Sequence, residues 1–259
     1  MIKHVFSFAI ALLLCSCSEE KGSSASAEAV PDYEPIFGTL YDARDGHTYK
    51  TTVINGLEWM AENLNYYVFH ELCTDGRGDI IECDNRPFIS SREINSACYD
   101  ENPVNCERYG RLYWWSVAIG DTARVEGGAR LYNLGSNVRG ICPEGWRMPT
   151  ESDYREKLWY FLLARHPKSS IREIEALLRS VDGWPDSLKG TDEYGFNLKP
   201  SGYGEGFHKL GECAVLWTVD EYNEQLAYVY DDVCFRGRFE AINKTELFSV
   251  RCVRDYPVF

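Results

Sequence analysis

Thr150-Glu151-Ser152-Asp153-Tyr154-Arg155-Glu156-Lys157-Leu158-Trp159-Tyr160-Phe161-Leu162-Leu163-Ala164-Arg165-His166-Pro167 carries the first of two helical patterns. Ser170 through Gly183 carries the second. Thr150 ahead of Glu151 and Asp153 reads as an N-cap with acids in the first turn. Tyr154, Leu158, Trp159, Leu162 and Leu163 then fall on one stripe, and Pro167 ends the helix. Ser170 with Glu173 makes a capping box. The second stripe is Ile171, Ile174, Leu177, Leu178 and Val181, stopped at Asp182-Gly183.

Strand patterns lie on both sides of this pair. His47 to Ile54 is rich in β-branched residues, with Tyr49, Thr51 and Val53 on one face and Thr48, Lys50 and Thr52 on the other. Asn55-Gly56 and Leu57-Glu58-Trp59-Met60 complete a hairpin signal. Arg111 to Ala118 is apolar and too short for periodicity to decide between strand and helix. Ala214 to Val219, Leu226 to Tyr230 and Leu247 to Val253 read as closing strands. Strands, two helices, then strands predict an α+β domain. No tandem repeat is present.

The N-terminus reads as an export signal. Lys3 precedes an apolar run from Val5 to Leu14, which is too short to span a bilayer. Leu14-Cys15-Ser16-Cys17 resembles the bacterial lipobox, with Ser16 ahead of the modified Cys17. Several acyl chains on Cys17 would hold the chain to a membrane without spanning it, at about 0.8 kcal/mol per buried methylene. Ser18 to Ala29 is small, polar and free of aromatics, so it reads as a flexible tether. Ser18 resembles the residue after Cys in outer-membrane lipoproteins, and Glu19-Glu20 resembles surface-export signals. The expected layout is a signal peptide over 1–16, lipidated Cys17 and tether over 17–35, and one domain over 36–259. The expected location is the outer membrane, facing outward.

The net charge is −13, and removal of residues 1–16 takes away only Lys3, giving −14. Such a chain repels phosphate backbones, which excludes nucleic acid as a partner. Of ten cysteines, Cys15 and Cys17 belong to the signal. The other eight, an even number in an exported chain, predict four disulfides, out of 105 connectivities. Proximity pairs Cys73 with Cys83 and Cys98 with Cys106, inside a loop-rich excursion near 67–107. Cys213 and Cys234 flank a hairpin, which leaves Cys142 for Cys252. No Cys-x-x-Cys occurs in the mature chain, and His70 with Cys73 supplies only two ligands, so no metal or other cofactor is expected. Serine-hydrolase, zinc-peptidase and phosphate-loop motifs are absent from the sequence, so an enzyme is the weaker expectation.

Asp42 to Tyr49, Trp59 to Tyr66, Tyr109 to Trp115, Gly140 to Thr150, Gly183-Trp184, Gly195 to Tyr203, Leu216-Trp217-Thr218 and Ser249 to Val253 form an ordered series. This series resembles the Fibrobacter succinogenes major paralogous domain family. Cys142-Pro143-Glu144-Gly145-Trp146-Arg147-Met148-Pro149-Thr150 also resembles C-type-lectin-like and formylglycine-generating-enzyme-like domains. The resemblance implies a C-type-lectin-like α+β domain with two helices, short twisted antiparallel sheets and long disulfide-stapled loops. A Cys142–Cys252 bridge is compatible with that implied fold. The chain departs from the family pattern around 67–95.

The implied function is a surface-displayed binding or adhesion module for polysaccharide, with a glycan or surface protein as partner. The alternatives are an extracytoplasmic enzyme acting on glycans or a structural component of an outer-membrane assembly. Lectin calcium motifs are absent, and Trp217-Thr218-Val219-Asp220-Glu221 lacks the Asn-Asp pair. Trp114, Trp115, Trp146, Trp184 and Trp217 are expected in the core. The resemblance implies that the long loop from Gly195 to Tyr222 forms the ligand surface. Tyr203, His208 and Tyr222 are its candidate ligand-binding residues.

Overall fold

The computed structural model describes residues 33–68, 73–74, 80–81, 96–120, 137–235 and 237–257. The expectations on the signal, Cys17, the tether up to residue 32, His70 and Cys83, and with Cys83 its pairing to Cys73, lie outside the described residues.

The first elements among the described residues are β1 (Ile36–Tyr41), β2 (Thr48–Ile54) and β3 (Leu57–Met60). Asn55 and Gly56 both take positive φ, 49° and 78°. A two-residue turn of that kind matches the right-handed twist of the flanking strands. Tyr49, Thr51 and Val53 are buried together, as the alternation predicts. Thr52 and Ile54 are buried too, because the second face is also covered. Thr52 Oγ1 donates to Tyr194 O at 2.7 Å, and Ile54 packs with Leu57 and Trp59 beneath Tyr154 and Leu158.

Two-residue strands β4 (Cys73–Thr74) and β5 (Ile80–Ile81) pair with each other, and β6 (Ser96–Ala97) comes next. The end of the expected loop excursion is instead a helix, α1 (Pro103–Tyr109). Asn102-Pro103 starts it: the Asn102 side chain accepts from Val104 N–H, and proline at the first helical position gives up no needed donor. The ambiguous run resolves into both forms, β7 (Leu112–Tyr113) and α2 (Trp115–Ala118).

The helix after Thr150 starts with reciprocal capping. Asp153 N–H donates to Thr150 Oγ1 at 3.0 Å, and Thr150 N–H donates to Asp153 Oδ2 at 2.7 Å. Asp153–Tyr160 is π-helical, and α3 (Phe161–Arg165) continues it. Tyr154, Leu158, Trp159 and Leu162 are buried from this stripe, and Leu163 is half-buried. The capping box of Ser170 and Glu173 starts α4 (Ile171–Ala176). This second helix is shorter than its stripe. Ile174, Leu177 and Leu178 are buried, while Ile171 and Val181 are exposed. The helix stops because the next residues pair with an extended segment: Leu198 N–H donates to Leu178 O at 2.8 Å and Ser180 N–H to Leu198 O at 3.0 Å.

The remaining strands are β8 (Ala214–Glu221), β9 (Leu226–Asp232), β10 (Phe239–Asn243), β11 (Phe248–Ser249) and β12 (Val253–Asp255). One sheet has the order β1-β2-β3-β12 and is antiparallel. The other has the order β10-β9-β8-β11-β7-β6 and is mixed, since β11 runs parallel to β8. Val215, Trp217 and Val219 join Ala227 and Val229 in one core cluster with Leu40, Tyr49 and Met60. Ala214, Leu216 and Tyr230 point the other way, into a second cluster with Trp59, Tyr154 and Ile174. Period-two alternation thus feeds two cores from one hairpin. The domain is α+β, with short helices, two main sheets and the separate two-stranded β4–β5 ladder.

The expected strand from Leu247 to Val253 is broken. Val250, Arg251 and Cys252 leave the larger sheet and cross to the smaller one. On the way Val250 O accepts from Leu64 N–H at 2.8 Å and Cys252 O from Met60 N–H at 3.0 Å. Among the described residues Cys98–Cys106, Cys142–Cys252 and Cys213–Cys234 are bridged.

The bridges differ in the loop each closes. Cys142–Cys252 spans 110 residues and Cys98–Cys106 spans 8. In the chain-entropy model the first is worth about 4–5 kcal/mol and the second about 2.5 kcal/mol. Paired Cys→Ala replacement in urea melts is expected to cost more at Cys142 and Cys252 by about 2 kcal/mol. Equal losses would show that local packing, not chain closure, sets the contribution.

Candidate functional site

A polar cleft forms where β2, the Ala61–Asn65 segment, the end of α1 and Lys199 meet. Its lining includes His47, Glu62, Asn65, Glu107, Arg108 and Lys199, with Tyr49 and Tyr109 behind them. Its enclosed part is small, about 40 Å³, and the rest is open to solvent.

Each wall is set by local chemistry. His47 closes a turn in which Asp42 N–H donates to His47 O at 2.8 Å. Arg44 grips the buried Asp42 carboxylate through Nε at 2.8 Å and Nη2 at 2.6 Å, and its Nη1 donates to Ile141 O at 2.7 Å. Burial pushes the Asp42 carboxyl up, but the hydrogen bonds and charge of Arg44 outweigh it and hold it below the usual value. The floor is pinned by Asn65 N–H donating to Tyr49 Oη at 2.9 Å and Lys50 N–H to Glu62 Oε2 at 2.8 Å. Asn63 Nδ2 donates to Tyr109 O at 2.8 Å, which fixes the end of α1. Gly110 must be glycine there: at φ 76° an added Cβ would lie 2.6 Å from Asn63 Cβ. Glu107 and Arg108 project exposed from the last turn of α1. Lys199 is held by Asp182 at 2.7 Å.

The cleft therefore presents carboxylates, an amide, an imidazole and two cations in one place. Among the described residues no group of three His, Cys, Asp or Glu side chains could hold a metal. Asp220 and Glu221 have other work. Asp220 accepts from Glu151 N–H at the start of the first helix, and Glu221 pairs with Lys244. Burial pushes the Asp220 carboxyl up.

The tryptophans are packed inside. Trp115, Trp146, Trp184 and Trp217 are buried, and Trp114 is half-buried against the core. Trp115 Nε1 donates to Thr218 O at 2.9 Å, Trp184 Nε1 to Leu198 O at 2.9 Å and Trp217 Nε1 to Tyr113 O at 2.7 Å. None of the four buried rings presents a free face to a ligand.

The structure brings Tyr203 and His208 together and places Tyr222 elsewhere. Tyr203 and His208 exchange backbone hydrogen bonds at 3.0 and 2.8 Å. The Tyr203 ring lies 5.0 Å from Phe235 and 6.0 Å from Phe248, so it staples the loop to the core. His208 is exposed near Glu246, whose carboxyl is pushed up by burial and by Glu205. Tyr222 is exposed at the far end of β8, eight residues long. At ~3.3 Å per residue that puts it roughly 25 Å from the Tyr203 end. The long loop does not form one surface from these three residues. Sequence reasoning passed over the cleft because its residues come from separate stretches. Only Lys199 belongs to the loop from Gly195 to Tyr222.

Residues 53–254 match the family model of the Fibrobacter succinogenes major domain, and the chain belongs to that family. No curated protein and no solved structure matches it.

The tyrosines give a direct check on the loop. Tyr203→Ala removes a half-buried ring from three aromatic neighbours and is expected to cost about 2–3 kcal/mol. Tyr222→Ala should stay within about 0.5 kcal/mol. Thermal melts decide it: equal, small effects would mean that Tyr203 does not hold the loop.

Proposed function

We propose that this protein is a lipid-anchored module of the bacterial outer surface that binds a polysaccharide segment in the cleft between β2 and α1. The observation that carries this reading is the mixed lining of His47, Glu62, Asn65, Glu107, Arg108 and Lys199. Hydroxyl groups both donate and accept hydrogen bonds, so a neutral polyhydroxylated ligand can use carboxylates, amide and cations together. A ligand of one charge sign would meet an opposed charge of its own sign. The enclosed part of the cleft is small, so a sugar would lie across its mouth rather than inside it, with the rest of the chain running out over the surface. A C-type-lectin-like scaffold fits the bridge from Cys142, ahead of the helix that begins after Thr150, to Cys252 in the closing segment.

The membrane part of the proposal rests on Leu14-Cys15-Ser16-Cys17 and the polar tether after it. No helix among the described residues is long and apolar enough to cross a membrane. Lipid on Cys17 would provide attachment, and the tether would leave the cleft free to meet its ligand.

A glycan array probed with the mature chain, then calorimetry on any hit, tests the cleft. Glu62→Gln and Glu107→Gln are each expected to weaken binding about tenfold, the scale of one charged hydrogen bond. Tyr222→Ala should bind as the parent does, and chelation of calcium should change nothing. Normal binding by both glutamine variants would move the site elsewhere, and turnover of the glycan would make the protein an enzyme. For the anchor, Cys17→Ala is expected to abolish incorporation of labelled fatty acid and release the chain from membranes. Unchanged labelling would refute the lipobox.

A further inference from the structure

Among the described residues β1 is an open edge of the four-stranded sheet, and it lacks the usual protection of such edges. Its sequence, Ile36-Phe37-Gly38-Thr39-Leu40-Tyr41, carries no charge and no proline. Phe37 is 67 % exposed, Tyr41 65 % and Ile36 50 %. The opposite edge of the same sheet, β12, is only three residues long and carries Arg254 and Asp255. The outer edge strand β10 of the other sheet carries Glu240. Short strands and charges are how sheet edges are normally kept from pairing. β1 has neither, in a chain of net charge −13.

The direction of its free backbone groups is set by the hairpin. Asp42 N–H donates to His47 O at 2.8 Å, so residue 42 faces β2. The ladder pairs Leu40 with Tyr49, Gly38 with Thr51 and Ile36 with Val53, and these share that orientation. The N–H and C=O groups of Phe37, Thr39 and Tyr41 therefore point to the open edge. Among the described residues no backbone partner meets them there.

We propose that β1 joins β1′ of a second copy of this chain, antiparallel, about a two-fold axis through Thr39. This register is fixed by two conditions together with the requirement that all three outward residues find outward partners. A two-fold axis perpendicular to the sheet keeps each face continuous, so opposed residues must have the same parity. The outward groups belong to Phe37, Thr39 and Tyr41. Centring on Thr39 sets Phe37 opposite Tyr41′ and Tyr41 opposite Phe37′, while Thr39 faces Thr39′. The two exposed aromatics of one copy then cover those of the other, as cross-strand aromatic pairs do. Two four-stranded sheets become one continuous sheet. The strand's neutrality lets two acidic copies approach at this edge without like charges in the contact. Main-chain hydrogen bonds supply the attraction, as in other strand additions.

The register makes residue 39 the test. Sedimentation equilibrium of the full chain in detergent is expected to show a concentration-dependent dimer. Thr39→Lys and Thr39→Asp each place like charges opposite one another on the axis, and each alone should sediment as a monomer. An equimolar mixture of the two should restore the dimer. Thr39→Pro removes an outward N–H without touching the β2 ladder, so it should also be monomeric while melting within a few degrees of the parent. A parent chain that stays monomeric at every concentration overturns the proposal. So does a dimer that survives both Thr39→Lys and Thr39→Pro, or a mixture that fails to restore it.

Discussion

The rest of the fold depends on a buried guanidinium. Arg251 lies in the segment that crosses between the two sheets and is fully buried. Its Nε donates to Asn63 Oδ1 at 2.8 Å, Nη2 to Asn197 O at 2.8 Å, and Nη1 to Phe196 O. The Phe196 ring lies 4.5 Å from its central carbon. Among the described residues no carboxylate forms an ion pair with it. Burial pulls its pKa down to about 10, which still leaves it charged at neutral pH. Removing such a charge from water costs several kcal/mol. Hydrogen bonds from a charged donor return about 1.5–3 kcal/mol each, so the site is stable only with its acceptors all in place. Lysine could not replace it, because one ammonium cannot reach acceptors on three segments through a planar fork. The crossing at Val250–Cys252, the Asn63 segment and the Phe196–Asn197 turn are thus fixed by one side chain.

The other buried arginines are solved differently. Arg179 forms a two-pronged pair with Asp232 at 2.7 and 3.0 Å and also reaches Glu175 at 2.9 Å. Arg238 completes the network through Glu175 and lies 3.8 Å over the Trp159 ring. This cluster ties the end of α4 to β9. Arg44 with Asp42 and Arg147 with Asp153 repeat the pattern on a smaller scale, and the exposed Arg254 covers the buried Glu58. Cations committed to internal pairs do little to lighten the acidic exterior of a chain at −13. That charge distribution disfavours phosphate-bearing partners and leaves the exposed Arg108 and the half-buried Lys199 as local exceptions in the cleft.

The sequence was legible wherever local chemistry decides the structure. Asn55-Gly56 demands positive φ at both residues, so the hairpin was legible. Thr150 and Ser170 each cap a helix, so both helix starts were legible. The end of the first helix was legible too, since α3 stops just ahead of Pro167, but the end of α4 was not, because it stops where Ser180 and Leu198, far apart in the chain, begin to pair through their backbones. The broken closing strand was hidden for the same reason: Ser249 to Val253 is uniformly strand-like, and only Arg251 and Cys252 draw it across. Asn102-Pro103 falls in the stretch expected to be loop-rich, although the same pair starts a helix when a periodic run comes after it. The candidate cleft was illegible because His47, Glu62, Glu107 and Lys199 become neighbours through tertiary contacts alone.

Asn63 couples that cleft to the core. One end of its amide accepts from Arg251, and the other donates to Tyr109 O at the end of α1. Asn65, whose N–H rests on Tyr49 Oη, lies two residues further along the same segment. The floor of the cleft is therefore as rigid as the guanidinium site beneath it. Its rim is not so constrained. Glu107 and Arg108 are exposed on the last turn of α1, and Lys199 pairs with the exposed Asp182. Exposed side chains on a rigid floor can change identity at small cost to stability, usually within about 0.5 kcal/mol. Such an arrangement separates the groups that hold the domain together from those proposed to meet a ligand. One fold can then carry different ligand preferences through a few rim residues, while Arg251, Asn63 and Gly110 stay fixed.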